Sequence, residues 1–186
     1  MCRRMTFKLI VVAAAALALT LPTMQSASAS DDHRGLICYD RGGGNCLDLY
    51  QGHVANGTKI IEWPYNPNDN AEKWYVHQVG TVSGLNCTPF DNCSLDRTHD
   101  GEPIDQIRYA GDTSQCAQNA GTDDGVRLEP CSGSYGVNWV HEGYSLVNVY
   151  LTNKRGSQQA LTARGTQGYQ VYCGSWLEGY SQWLFE

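Results

Sequence analysis

Cys46-Leu47-Asp48, Asn56-Gly57-Thr58, Ile60-Ile61-Glu62-Trp63-Pro64-Tyr65 and Glu72-Lys73-Trp74-Tyr75-Val76 form one unit, and the chain repeats it twice. The second copy reads Cys116-Ala117-Gln118, Gly125, Val126-Arg127-Leu128-Glu129-Pro130-Cys131 and Val137-Asn138-Trp139-Val140. The third reads Ala160-Leu161-Thr162, Gly168, Gln170-Val171-Tyr172-Cys173 and Ser181-Gln182-Trp183-Leu184. Upstream, Cys38 precedes Cys46 as Arg108 precedes Cys116, with Tyr39 and Tyr109 in register. The longer interval from Trp74 to Trp139 is assigned to an insertion at about 81–103. A unit this small buries little by itself, so its repetition at fixed register implies copies that close around a shared interior.

Within each copy, short runs rich in β-branched and aromatic residues are broken by Gly, Asn or Asp. Ile60 to Tyr65, Asn148 to Leu151 and Trp183 to Phe185 are such runs, and Asn56-Gly57 is a turn signal. No long helix-forming stretch follows the N-terminal region, which excludes a helical bundle or coiled coil. The expectation is an all-β domain with about four strands per copy, roughly twelve in total. Trp74, Trp139 and Trp183 are expected to fill its core, since each ring buries a large apolar area.

The order Cys-Leu-Asp, Asn-Gly-Thr, hydrophobic-x-x-Trp-Pro-Tyr, x-x-Trp resembles a ricin B-type lectin repeat, and the resemblance covers about 150 residues. It implies a β-trefoil fold and carbohydrate binding. The family's Gln-x-Trp signature is altered here to Glu72-Lys73-Trp74, Val137-Asn138-Trp139 and Ser181-Gln182-Trp183. In the first copy Asp48 stands at the family's carboxylate position and Trp63 at its stacking position. Glu72 replaces an amide, Ala71 an Asn and Ile61 a Gln, while Tyr65, Asn66 and Asn70 supply nearby polar and aromatic groups. Oriented acceptors beside a flat apolar ring suit a hydroxyl-rich pyranose. The expected site is therefore Asp48, Trp63, Tyr65, Asn70 and Glu72, serving a neutral glycan or polysaccharide. The competing structural reading has Asp48 fixing a turn and Trp63 capping the core. The second copy offers Gln118, Glu129 and Val137 at the corresponding positions; the third offers Thr162, Val171 or Tyr172, and Ser181. Neither keeps the combination, so one shallow site is expected, with affinity of about −4 kcal/mol on the millimolar scale.

The same resemblance implies a Cys116–Cys131 bridge within the second copy. In the first copy Tyr65 replaces the second cysteine, so Cys46 is expected to pair with Cys38 across a hairpin through Gly42-Gly43-Gly44. Cys87 and Cys93 would close the insertion, leaving Cys173 as a buried thiol or a dimer bridge.

Residues 1–29 read as a secretory signal peptide: Arg3, Arg4 and Lys8, an apolar run from Leu9 to Leu21, then Ala27-Ser28-Ala29. The expected mature domain is 30–186, with repeats at about 34–79, 103–143 and 144–186. The expected location is extracellular, where disulfides form. The whole chain carries 13 basic and 19 acidic residues, net −6. Loss of the signal would leave it more acidic, a balance that disfavours nucleic acid and membrane partners. No Cys-x-x-Cys and no His pair at ligand spacing occurs, so neither a metal nor a cofactor is expected.

No histidine lies in a nucleophile motif, and the repeats leave only the insertion over, so the chain is not expected to be an enzyme. Two alternatives to a glycan binder stand beside it. One is a trefoil that binds a protein, as a protease inhibitor or toxin accessory does, through the Cys87–Cys93 loop. The other is a hydrolase built on one of the many carboxylate pairs.

Overall fold

The computed structural model describes residues 33–39, 44–82, 101–119, 125–132, 135–150, 158–175 and 181–185. They form thirteen strands. The first five are β1 (His33–Gly35), β2 (Ile37–Tyr39), β3 (Asn45–Leu49), β4 (Ile60–Pro64) and β5 (Trp74–Thr81). The next four are β6 (Pro103–Tyr109), β7 (Asp112–Asn119), β8 (Val126–Pro130) and β9 (Asn138–Glu142). The last four are β10 (Ser145–Asn148), β11 (Gln159–Thr162), β12 (Tyr172–Ser175) and β13 (Trp183–Phe185). The count exceeds the expected twelve because the first strand is split into β1, which pairs with β5, and β2, which pairs with β3 and β13. The expected run at Asn148 to Leu151 is displaced: the strand is Ser145–Asn148, all four residues buried, and Leu151 lies outside the described residues.

All pairings are antiparallel, and they repeat three times. Strands β5 and β6, β9 and β10, and β13 and β2 pair between successive copies. The hairpins β3–β4, β7–β8 and β11–β12 form one set of equivalents. Thr81 and Pro103, which flank the expected insertion, are cross-strand partners, so the insertion is a long connection between two paired strands. Its own residues, Cys87 and Cys93 included, lie outside the described residues.

The three tryptophans sit in one core cluster, each fully buried. Each indole needs an acceptor when water is excluded, and the threefold arrangement supplies it. Trp74 Nε1 donates to the Leu47 carbonyl at 2.9 Å, Trp139 Nε1 to Ala117 at 3.1 Å and Trp183 Nε1 to Leu161 at 2.9 Å. These acceptors occupy the same register position in the three hairpins, opposite Glu62, Leu128 and Cys173. Where the hairpins converge, the Val126 N–H donates to the Val171 carbonyl (2.8 Å) and the Val171 N–H to the Ile60 carbonyl (3.1 Å).

Disulfides join Cys38 to Cys46 and Cys116 to Cys131. Cys173 faces Leu161 across the hairpin and packs as a buried thiol in the core. The register corrects one detail: Gly174, not Val171 or Tyr172, is the third-copy counterpart of Trp63 and Glu129.

Candidate functional site

Leaving β3, the chain turns sharply through Tyr50–Gly52 and returns as β4. This turn needs Gln51 in the left-handed region (φ 57°), where a side chain costs about 1–2 kcal/mol. It carries Tyr50 and Gln51 onto the rim of a cleft of about 570 Å³. Asp48 from β3 and Ile61 and Trp63 from β4 line the cleft, and Asp69 joins them from the opposite side. Asp48 faces Ile61 across the hairpin, which puts the carboxylate one step from Trp63 along the sheet. The indole is 39% exposed, open enough for a flat ligand to stack on it. Asp69 is fixed as a cap, its Oδ1 accepting the Ala71 N–H at 2.9 Å.

Of the five residues expected at the site, Asp48 and Trp63 come together. Glu72 does not line the cleft, although its neighbour Ala71 does: it is fully buried, and Oε2 accepts the Asn66 N–H at 2.8 Å. Its Oε1 is buried and meets no donor among the described residues. Asn70 is exposed, its Oδ1 accepting from Lys73 Nζ at 3.1 Å. Tyr65 is exposed and outside the lining, on the far side of Pro64. Asp69, Tyr50 and Gln51 were missed. The capping role of Asp69 ahead of Asn70-Ala71-Glu72 was legible in principle, whereas nothing in the sequence marks Gln51 as left-handed.

The carboxylates interact. Burial, then the nearby Asp69 charge, pushes Asp48 up to about 6. Burial also pushes Glu72 up to about 7 against the lowering effect of the Asn66 N–H, with Asp48 and Asp69 adding to the rise. The cleft thus holds oriented acceptors next to an aromatic face, with a protonated or half-protonated acid beside its lining residue Ala71 near neutral pH.

The fold is a β-trefoil, and its structural neighbours include β-trefoil lectins. The Vibrio vulnificus hemolysin/cytolysin β-trefoil lectin, solved with N-acetyl-D-lactosamine bound, superposes with a TM-score of 0.58 at 16% identity, covering 83% of this chain and 94% of that one. The C-half of the earthworm R-type lectin, in complex with GalNAc, gives 0.54 at 15% identity, covering 83% and 98%. The designed threefold-symmetric protein ThreeFoil gives 0.55 at 18% identity, covering 81% and 95%. No family model and no curated protein sequence matches the chain.

Proposed function

We propose that the protein is a secreted carbohydrate-binding module that takes neutral glycans at the first-repeat cleft. The observation that carries this reading is the meeting of Asp48 and the exposed Trp63 in one concavity with Tyr50 and Asp69. The carboxylates accept hydroxyl hydrogens, and the indole and phenol rings take the apolar face of a pyranose. The equivalent positions in the other hairpins, Gln118 with Glu129 and Thr162 with Gly174, offer no such pair. Sugar complexes of two structural neighbours support the class of ligand. Two disulfides are compatible with an extracellular setting.

A glycan array on the folded mature protein tests the proposal. Binding of a neutral glycan that Asp48→Ala and Trp63→Ala each abolish, in variants that still unfold cooperatively, is the expected result. Absence of binding to any neutral glycan at millimolar concentration would refute it.

A further inference from the structure

A second cleft, of about 420 Å³, opens where the three hairpins converge. Its lining is drawn from three separate parts of the chain: Lys59 ahead of β4, Gly125 ahead of β8, and the stretch from Arg164 to Tyr172 ahead of and into β12. Lys59, Arg164, Tyr169, Gln170 and Tyr172 supply its side chains, and among the described residues no carboxylate lines it. Among the described residues neither cation makes a side-chain ion pair. The Arg164 guanidinium lies 4.5 Å from the Tyr172 ring centroid, a cation–π contact that holds it without neutralising it.

The surrounding backbone is fixed. Lys59 bridges to Arg127 and Ile61 to Gln170. Gln170 Nε2 donates to the Val126 carbonyl at 2.9 Å, and a Cβ at Gly125 would come within 2.6 Å of the Gln170 side chain. Glycine there, at φ +85°, makes room for the amide. Glu62, the acid that contacts the Arg164 backbone, is fully buried and already bound: Oε1 accepts the Arg164 N–H at 2.6 Å and Oε2 accepts from Asn45 Nδ2 at 3.4 Å. It positions the Arg164 backbone and leaves the guanidinium outward.

We propose that this cleft is a second saccharide site, selective for an acidic sugar whose carboxylate is held by Arg164 and Lys59 while Tyr169 stacks on the ring. A guanidinium fork and an ammonium match a carboxylate in geometry and charge, and Tyr169, 55% exposed, presents a free aromatic face. The first cleft, with Asp48 and Asp69, repels the same group. The two clefts therefore sort saccharides by charge. This site does not depend on the neutral-glycan reading of the first.

The test is calorimetric titration of the mature protein with oligogalacturonate, alongside the same oligomer carboxyl-reduced to a neutral chain. Expected is millimolar-range binding of the acidic oligomer that weakens several-fold on raising salt from about 20 to 200 mM; any binding of the neutral reduced oligomer belongs to the first cleft and is unchanged by Arg164→Gln. Arg164→Gln, Lys59→Gln and Tyr169→Ala should each weaken it about tenfold. Arg34→Gln removes the same charge from a position over Tyr75 and should leave it unchanged. Asp48→Asn should also leave it intact, which separates this proposal from the first-cleft reading. Binding of the reduced oligomer that Arg164→Gln weakens as much as that of the acidic one, an Arg34→Gln loss equal to that of Arg164→Gln, or no binding of the acidic oligomer at about 10 mM would overturn the proposal. Arg164 and Lys59 are exposed, so a thermal midpoint at the parent value certifies the variants as folded.

Discussion

The first and second hairpins share a backbone and differ in what they show to solvent. In β3–β4 the pair at equivalent register is Cys46 and Trp63, followed by Asp48 and Ile61; in β7–β8 it is Cys116 and Glu129, followed by Gln118 and Arg127. Beneath both, an indole donates to the same carbonyl position. The interior is constrained threefold because each tryptophan must fill space and satisfy one N–H. The exterior has no such requirement, so the same register carries Asp48 and Trp63 in one copy and Gln118 and Glu129 in the next. The difference teaches that repetition here encodes the scaffold, while the surface residues are free to diverge.

The comparison breaks most severely in the core. Trp74→Ala, Trp139→Ala and Trp183→Ala should each cost roughly 3–5 kcal/mol, with similar values in all three copies; denaturant unfolding measures them. A loss confined to one copy would mean that the indoles are not equivalent. Next, removing the Cys116–Cys131 bridge by a double Ser substitution should cost about 3 kcal/mol and removing Cys38–Cys46 about 2.5 kcal/mol, the loops being 15 and 8 residues. On the surface, Trp63→Ala should reduce neutral-glycan affinity at least tenfold, about 1.4 kcal/mol, while shifting the unfolding midpoint little. Glu129→Ala, its counterpart, should leave affinity unchanged.

The smallest effect concerns the acid next to Ala71 of the first cleft. Asp48 and Glu72 have folded-state pKa values raised to about 6 and about 7. The folded state therefore holds more protons than the unfolded state from about pH 4 to pH 7. Stability falls as pH rises through that window and is greatest on its acid side. Glu72→Gln replaces the ionisable group with an amide that donates. It should stabilise the protein by roughly 1 kcal/mol at pH 8, change little at pH 4 and flatten the slope between. Thermal melts across pH would show it; a parallel pair of curves would mean that Glu72 is not the group responsible.

How far the sequence was legible follows the same division. The spacing of Trp74, Trp139 and Trp183 carried three all-β copies around a shared core, because core periodicity is written in residue identity, and the resemblance to ricin B-type repeats carried the trefoil. The Cys38–Cys46 pairing was legible because a glycine-rich loop of that length implies adjacent strands. Asp48 and Trp63 were legible as candidates through their family positions. Asp69 and Gln51 were not, since one depends on a capped turn between strands and the other on a left-handed backbone. The basic cleft was hidden altogether: Lys59 and Arg164 stand 105 residues apart in a chain of net negative charge, and only the convergence of hairpins makes them neighbours.

One glycine joins the two concavities. A Cβ placed on Gly168, which lines the basic cleft, would lie 3.5 Å from Cζ3 of Trp63, which lines the acidic one. The indole edge therefore lies against the backbone that lines the neighbouring cleft. Were both clefts to bind as proposed, a chain of mixed neutral and acidic sugars could engage them together, the second from a high local concentration.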